Sequence, residues 1–295
     1  MRKIERRGRS ESEGTRSDNV DMPAVSVVVP TRNSSASLPR LLRSLENQTV
    51  SDFEVIVVDN SSQDNTQQLA KDWGALVEQF GPERSAQRNR GAQLARAGRV
   101  LFIDSDMELT PEVVSMTTDA LPSADAACYR EKPIPSSGYL ARARGLEREL
   151  YFHSLIYEAA RGFTKGVFER LGGYDTGLTG LEDMDLQARV VERGLRLAWV
   201  TCPLLHHEED VRTIDYLRKR GRYAQLSDAR FKTLHPQYWN ELASPLLRGK
   251  FVLHNLKGRQ LGDWALVPGM ALSRILEFGV RLPASRARGT HYPGP

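Results

Sequence analysis

Cysteine is scarce in this sequence, whose 295 residues include only Cys128 and Cys202. Two isolated cysteines exclude a disulfide scaffold and a zinc site built from CxxC pairs, and we expect both thiols to be reduced. The sequence also lacks an uncharged apolar run of about 20 residues, the length that spans a bilayer. Its charged N-terminus has no apolar segment of the signal-peptide type. These absences predict a cytoplasmic protein.

Composition narrows the class of partner. Apolar residues make up 40% of the chain and charged residues 26%, which is ordinary for a globular protein. The net charge of +4 and the pI of about 9.1 favour anionic ligands or an anionic membrane face. No nucleic-acid-recognition motif accompanies the positive charge, so we do not expect nucleic acid as a partner.

Short apolar runs rich in Val and Ile alternate with segments of helical periodicity. Strands that are apolar along their whole length are typical of parallel sheets covered by helices on both faces. The sequence therefore predicts an α/β fold with a mostly parallel sheet flanked by helices. Pro30 is expected to end the first strand. We place the early strands at residues 24–29, 53–58, 75–79 and 100–103.

The strand at 100–103 ends in Asp104-Ser105-Asp106. Ligands of open α/β sheets bind just beyond the carboxyl ends of the strands, so these carboxylates are well placed for a polar ligand. Carboxylates suit Mg²⁺ or Mn²⁺, which proteins hold through one or two carboxylates together with substrate phosphates. Taken alone, the same residues are equally compatible with a solvated acidic turn.

Other polar residues follow strands or begin helices: Asp59, Arg84 and Arg88, and the run 182–185 with His206 beyond it. With these residues the chain resembles the inverting glycosyltransferases of family 2, which have the GT-A fold. Each matching motif is short, and the specificity comes from their number and their order over residues 24–210. The matching segments are 25–33, 57–66, 88–91, 102–106, 171–175, 182–183 and 206–208.

The resemblance implies transfer of a sugar from a nucleotide-diphosphate sugar, most commonly a UDP-sugar, to an acceptor hydroxyl. It implies that Asp59 accepts a hydrogen bond from the base, that Asp104 faces the ribose and that Arg88 lies near the diphosphate. The alternatives are a turn-forming aspartate for Asp59 and a solvated helix face for Arg88. The implied donor-binding residues are Pro30, Thr31, Arg32, Asp59, Arg88, Asp104 and Ser105.

The resemblance also assigns Asp106 and His206 as ligands of a divalent metal, Mn²⁺ or Mg²⁺. A divalent ion neutralises charge that develops on a departing diphosphate. Asp183 would be the general base that takes the proton of the acceptor hydroxyl. Glu182 and Asp185 would contact the acceptor or support Asp183, and their charge would raise its pKa, whereas the helix N-terminus would lower it. The alternative is an acidic first helical turn.

The chain divides into four predicted parts. The resemblance implies a GT-A catalytic domain at residues 23–210, with a nucleotide-sugar half at about 23–125 and an acceptor half at about 126–210. Residues 1–22 have almost no apolar side chains and are expected to form a disordered tail. Residues 211–283 are expected to form a helical C-terminal extension, and residues 284–295, which lack apolar periodicity, a flexible end.

The acceptor is left open between a saccharide, a lipid-linked molecule and a natural-product hydroxyl. The stretch 214–223 interleaves basic and aromatic residues. A solvated helix face is the favoured interpretation over peripheral contact with the inner face of a membrane or a phosphorylated lipid-linked acceptor.

Two other functions use the same acidic residues. One is a non-catalytic nucleotide-sugar-binding protein on a GT-A fold, which the presence of all the catalytic-type residues disfavours. The other is a DxD-type phosphatase, but Glu108 stands where that motif has Thr or Val. An EF-hand loop counted from Asp104 fails because Leu109 and Ser115 occupy its glycine and glutamate positions.

Overall fold

The computed structural model describes residues 22–135, 138–208 and 213–281. The predicted disordered tail, apart from Met22, and the predicted flexible end at 284–295 lie outside these ranges. Among the described residues, no helix combines the length and the apolar character that crossing a membrane requires.

The strands of the described residues form a single mixed sheet in the order β3-β2-β1-β4-β7-β6-β8-β5. The first four strands in this order pair in parallel, as do β6 and β8, whereas β7 is antiparallel to both neighbours and β5 is antiparallel to β8. The strands are β1 (Val25–Thr31), β2 (Phe53–Asp59), β3 (Leu76–Gln79), β4 (Arg99–Phe102), β5 (Met107–Leu109), β6 (Ala126–Pro135), β7 (Ala160–Thr164) and β8 (Leu197–Glu208).

Helices cover both faces of the sheet and make up the C-terminal part. This arrangement confirms the predicted α/β fold with a mostly parallel sheet and C-terminal helices. The helices are α1 (Leu38–Glu46), α2 (Thr66–Trp73), α3 (Arg84–Leu94), α4 (Val113–Ala120), α5 (Tyr139–Leu150), α6 (Lys165–Leu171), α7 (Glu182–Glu192), α8 (Thr213–Leu234), α9 (Pro236–Ala243), α10 (Pro245–Asn255), α11 (Leu261–Trp264) and α12 (Val267–Arg281).

The core has two layers, one on each face of the sheet. Val27 and Val29 of β1 belong to the layer that contains the leucines of α1, and Val28 belongs to the opposite layer, with residues of α3, α6 and α7. Because successive side chains of a strand point to opposite faces, β1 needs apolar residues at consecutive positions to fill both layers. Its uninterrupted valines follow from this.

Pro30 does not end the first strand, which continues to Thr31. Beyond Val28, β1 no longer pairs with β4 and keeps only β2 as a partner. A residue without an N–H group is tolerated where a strand has lost one of its neighbours, as on a sheet edge.

The long helix expected near 139–159 ends at Leu150. His153 adopts a left-handed backbone conformation with a φ of 72°. The Ser154 hydroxyl then accepts hydrogen bonds from the N–H groups of Ile156 and Tyr157, at 3.2 and 3.1 Å. This side-chain turn replaces the helical hydrogen bonds and leads the chain into β7.

The strand before His206 is longer than predicted, and it has a partner that the sequence did not reveal. We expected a strand at 195–200 followed by His206, but β8 continues to Glu208 and pairs with β5, with Met107 opposite His206. The helix expected to begin after Thr110 begins instead at Val113. The carbonyls of Thr110 and Pro111 accept hydrogen bonds from the Gln48 amide and the Thr49 N–H, which hold this turn against the segment that follows α1.

Candidate active site

The carboxyl ends of β1 and β2 meet at one edge of the sheet, around Asp59. This carboxylate is fully buried and accepts hydrogen bonds from the hydroxyls of Thr31 and Ser62, the Ser62 N–H and the Gln67 amide, at 2.5–2.8 Å. Although burial opposes ionisation, these donors keep the pKa of Asp59 below its ordinary value. Asp59 therefore organises the loops at this edge, and its contact with a nucleotide base stays a prediction.

The other predicted donor-binding residues of this edge lie around the same loops. Pro30 is buried at the end of β1, and Arg32 is exposed. The three residues Asp104-Ser105-Asp106 after β4 are called the acidic loop below. The Ser105 hydroxyl donates to the Ser34 hydroxyl at 2.9 Å, which ties the acidic loop to the loop after β1. Their contacts with a donor stay predictions.

Asp104 lies between two arginines. One carboxylate oxygen accepts from Arg88 at 2.5 Å, and the other accepts from Arg161 at 3.2 Å. Although burial opposes ionisation, the two guanidinium groups hold the pKa of Asp104 well below its ordinary value. Asp104 is therefore a carboxylate at all physiological pH values.

Arg84 and Arg88 project from one face of α3, as their spacing predicts, and both contact Glu182. The distances from their guanidinium nitrogens to the Glu182 carboxylate are 3.0 and 3.1 Å. Arg88 is 3% exposed and Glu182 is 2% exposed, so the solvated-face alternative is wrong for Arg88. Arg88 joins Asp104 and Glu182, whose positions in the sequence are far apart, into one buried ion cluster.

This cluster predicts an unequal effect of two substitutions on α3. Arg88→Met leaves Asp104 and Glu182 short of a buried counter-charge, and we expect it to lower the free energy of unfolding by about 3–5 kcal/mol. Arg90→Met removes a partly exposed ion pair with Glu78, worth less than about 1 kcal/mol, and a guanidinium contact at 5.9 Å from the centre of the Phe80 ring. Urea denaturation of the two variants measures the difference, and equal losses would contradict it.

Asp106 lies at the opposite end of the acidic loop from Asp104, and His206 lies beside it. The antiparallel pairing of β5 with β8 brings the His206 Nε2 atom to 3.4 Å from the Asp106 carboxylate. Burial opposes protonation of His206, but its hydrogen bond with Asp106 raises its pKa overall. The neighbouring His207 points elsewhere, with its Nε2 atom 2.9 Å from Glu108.

The pair fits one end of a divalent-metal site. The Nε2 atom of His206 faces the Asp106 carboxylate, and the Asp106 side chain is half-exposed, so a nitrogen ligand and an oxygen ligand lie together next to solvent. No group of three or more His, Cys, Asp or Glu side chains in the described ranges is arranged to hold a metal. Two protein ligands leave most of the coordination sphere to a phosphate-bearing ligand and water, as is usual for Mg²⁺ and Mn²⁺.

Asp183 lies in the first turn of α7 and lines a buried cavity of about 200 Å³ together with Arg88, Glu131 and Arg161. Burial and the adjacent Glu182 carboxylate raise its pKa above the ordinary aspartate value. Its one hydrogen bond in the described structure is accepted from the Met184 N–H at 2.8 Å. Asp183 is therefore a carboxylate with proton-accepting capacity in a partly water-excluded space.

Asp185 was predicted to act beside Asp183, but it does not line the cavity that contains Asp183. It is buried between Arg189 and His235, with the His235 Nε2 atom at 2.8 Å. Successive positions in a helix point in different directions, so residues two apart do not share a face. Asp185 joins α7 to the helices that follow β8.

A second ion cluster, centred on Glu131 of β6, was not predicted from the sequence. Arg161 donates to one oxygen of this buried carboxylate at 2.6 Å, and Arg148 donates to the other. The His206 Nδ1 atom lies 3.9 Å from Glu131, so the cluster connects His206 to Arg161 and, through it, to Asp104. In the same cavity, burial and the charge of Glu131 raise the pKa of Glu158 to about 8. No motif or periodicity marks these residues in the sequence.

The chain matches the family model described as "Glycosyl transferase family 2" over residues 26–164. This segment covers the ends of β1, β2 and β4, the acidic loop and Arg161. Asp183 and His206 lie beyond it.

Among curated proteins, the chain is similar to the putative glycosyltransferase EpsH of Bacillus subtilis, with 31% identity over 211 residues. That match covers 64% of this chain and 61% of the relative. This chain is also similar to a Campylobacter jejuni protein named GalNAc(5)-diNAcBac-PP-undecaprenol beta-1,3-glucosyltransferase, with 30% identity over 139 residues. The second match covers 43% of this chain and 45% of the Campylobacter protein. The chain therefore spans less than two thirds of the length of these relatives.

Among solved structures, the fold is similar to that of the mannosyltransferase PcManGT from Pyrobaculum calidifontis, solved in complex with GDP-Man and Mn²⁺. The match has a TM-score of 0.58 and 22% identity, and it covers 90% of this chain and 89% of the other. Similarity at this level of identity supports the GT-A fold.

Proposed function

Because residues 26–164 match the model of glycosyltransferase family 2, we propose that the chain transfers a sugar from a nucleotide-diphosphate sugar to an acceptor hydroxyl, with inversion at the anomeric carbon. The observation that carries this proposal is the contact between Asp106 and His206 at 3.4 Å, linked by ion pairs to the cavity that contains Asp183. The diphosphate would lie beside Asp106 and His206, and the acceptor would lie in the cavity that contains Asp183.

Asp106 and His206 are the residues that would hold a divalent ion. When bound, such an ion neutralises the charge that accumulates on the diphosphate as the glycosidic bond breaks. An imidazole ligand suits Mn²⁺ better than Mg²⁺, which prefers oxygen. The Pyrobaculum mannosyltransferase, whose structure was solved with Mn²⁺ and GDP-Man, supports the same assignment.

The nucleotide would lie along the carboxyl ends of β1, β2 and β4. Arg32 is an exposed cation at this edge, and Asp104 would accept a hydrogen bond from the ribose while it keeps its arginine contacts, because each carboxylate oxygen can accept more than one hydrogen bond. Arg88 would lie near the diphosphate. The remaining residues of this surface would be Pro30, Thr31, Asp59 and Ser105.

Asp183 would act as the general base. The acceptor oxygen forms a bond to the anomeric carbon while its proton passes to the Asp183 carboxylate. On the opposite face, the bond from the anomeric carbon to the diphosphate oxygen breaks, and the diphosphate keeps the electron pair. Displacement from the opposite face inverts the configuration. The raised pKa of Asp183 improves it as a proton acceptor.

The same geometry disfavours a DxD-type phosphatase. Its first aspartate, here Asp104, would have to attack phosphorus, but both oxygens of this carboxylate are held by Arg88 and Arg161. A carboxylate whose pKa is held low is also a weak nucleophile.

The remaining predictions become part of this proposal. Residues 23–125 would bind the donor, residues 126–210 would contact the acceptor, and the C-terminal helices would complete the acceptor site. The acceptor is a saccharide, a lipid-linked molecule or a natural-product hydroxyl, and the name of the Campylobacter jejuni relative supports the lipid-linked class. Such an acceptor would bring a cytoplasmic protein to the inner face of the membrane.

A thermal-shift panel of UDP- and GDP-sugars with Mn²⁺ or Mg²⁺ tests the donor. A ligand that binds only the folded chain at about 100 times its Kd adds about 2.7 kcal/mol of stability, so the true donor should raise the Tm by several degrees. We expect the shift to need the metal. A panel in which no nucleotide sugar moves the Tm would contradict the proposal.

A further inference from the structure

A loop without regular secondary structure leads directly into the first turn of α7, where Asp183 lies. We call residues 172–181 the α6–α7 loop; it contains no helix or strand, and its last two residues line the same cavity as Asp183. Backbone groups that are buried outside helices and strands need other hydrogen-bond partners. Helix α8 supplies them, although it lies beyond the segment that matches the family model.

The Ser227 hydroxyl of α8 fixes the α6–α7 loop through two hydrogen bonds to one residue. It accepts from the Thr179 N–H at 2.8 Å and donates to the Thr179 carbonyl at 2.7 Å. Ser227 is fully buried, so water reaches neither bond unless the structure opens locally. One hydroxyl therefore satisfies both backbone groups of Thr179, as the opposite residue does in an antiparallel strand pair.

Two further residues of α8 fix the earlier part of the loop. Arg230 donates to the Asp175 carboxylate at 2.7 Å, and the same carboxylate accepts from the Gly177 N–H at 2.7 Å. Phe231 is fully buried and belongs to one apolar cluster with Leu178. Both residues lie three or four positions after the serine, so all three share one face of the helix.

Tyr223, one helical turn before Ser227, fixes the end of the loop nearest Asp183. Its ring covers Gly180 so closely that a Cβ atom there would lie 2.5 Å from the nearest ring atoms. Gly180 has a φ of 93°, and its N–H donates to the Glu182 carboxylate at 2.7 Å. Helix α8 therefore contacts the loop at several points, including the backbone just before Asp183.

We propose that Ser227 is a positioning residue for Asp183, and that α8 belongs to the active site. This inference rests on the proposed function, in which Asp183 takes the proton of the acceptor. A general base must lie within about 3 Å of the oxygen whose proton it takes. A displacement of about 1 Å can lower the rate about 10²-fold. The two bonds to Thr179 supply this precision to a loop that has no ladder of its own.

Hydrogen exchange of the full chain tests the contact without a substrate. Ser227→Ala leaves the Thr179 N–H without its partner, and we expect amide exchange in the α6–α7 loop to become about tenfold faster or more. Ser227→Thr keeps the hydroxyl and should restore slow exchange. Thr233→Ala is the matched control, because the Thr233 side chain is exposed on the same helix and bonds within it, to the Ala229 carbonyl.

Hydrolysis of the nucleotide sugar that gives the largest shift in the thermal-shift panel tests the positioning, with water in place of the acceptor. The water oxygen bonds to the anomeric carbon, one proton passes to Asp183, and the diphosphate leaves with the electron pair. We expect Ser227→Ala to lower kcat about 10²-fold and to leave the KM of the nucleotide sugar unchanged. Ser227→Thr should recover the rate, and Thr233→Ala should match the unmodified chain.

Arg230→Gln loosens the same loop without a change in the core. The ion pair of Arg230 with Asp175 is partly exposed, and such a pair contributes a factor of about five at most. Exchange in the α6–α7 loop should rise and kcat should fall within that factor, while the Tm stays nearly unchanged. This variant keeps the proposal testable if Ser227→Ala does not fold.

Unchanged exchange in the loop of Ser227→Ala would overturn the proposal, as would equal effects of Ser227→Ala and Thr233→Ala. Faster exchange with an unchanged kcat would also overturn it, because Asp183 would then not depend on the contact. A thermal-shift panel in which no nucleotide sugar moves the Tm would contradict the proposed function, whereas the exchange measurement needs no substrate and concerns the role of Ser227 alone.

Discussion

Asp183→Asn is expected to abolish sugar transfer while the donor stays bound. The amide occupies the same space in the cavity but cannot take the proton of the acceptor hydroxyl, and loss of a general base lowers kcat by about 10²–10⁴-fold. The proposed donor site lies on the side of Asp106 and His206, so the Tm shift that the donor causes should not change. Initial rates and donor titrations of one preparation measure both. Near-normal turnover would contradict the assignment of the base.

The raised pKa of Asp183 also predicts how stability and transfer depend on pH in the unmodified protein. Burial and Glu182 raise that pKa in the folded chain above its unfolded value, so the unmodified protein gains stability as the pH falls through the raised value. At neutral pH the charged form costs stability, and Asp183→Asn should therefore keep or increase the Tm. Transfer by the unmodified protein should fall over the same pH range, because the base becomes protonated.

A surface carboxylate serves as the control for Asp183. Glu169 is exposed on α6, and Glu169→Gln removes the same charge without touching the cavity. This variant should keep both transfer and its pH profile. A similar loss in both variants would indicate a general effect of charge.

His206→Ala is expected to remove the metal dependence of donor binding. His206 and Asp106 are the proposed protein ligands of the ion, and substitutions of residues that only support metal ligands already cost about 10–100-fold in metal affinity or activity. Loss of a ligand should cost at least as much. Titration of the donor with and without Mn²⁺ measures the change, which should appear only when Mn²⁺ is present.

The adjacent histidine is a matched control for this substitution. His207 lies one position along β8, and its ring is directed at Glu108 and away from Asp106. His207→Ala should therefore keep the Mn²⁺ dependence of donor binding. If the two variants lose it equally, the metal site is elsewhere.

The sequence predicted the first half of the sheet well because its signals are local. The valines of β1 and the leucines of α1 carry the period of their own element, so each could be recognised without its partner. β5 could not be recognised, since three residues carry no period. It is a strand because β8 pairs with it, and β8 itself extends to Glu208 beside β6, which lies far away in the sequence.

The residues of the candidate site likewise fall into those that a local sequence signal marks and those that none marks. Asp104, Asp106 and Asp183 lie in short motifs that can be read locally, and the resemblance added His206. Glu131 and Arg161 could not be predicted, because each is defined by ion pairs with residues 17 to 57 positions away. Asp185 was misplaced because neighbouring acidic residues in one helical turn look alike in a sequence, although they face different parts of the molecule.

β5 is the shortest strand of the described sheet, and it lies at the edge with β8 as its neighbour. Such a strand opens by local unfolding at a lower free-energy cost than the central strands. Asp106 directly precedes β5, and His206 pairs with its first residue. An ion held by these two side chains would therefore cross-link the edge at its weakest point, so that amide hydrogens in β5 would exchange more slowly once the ligand is bound.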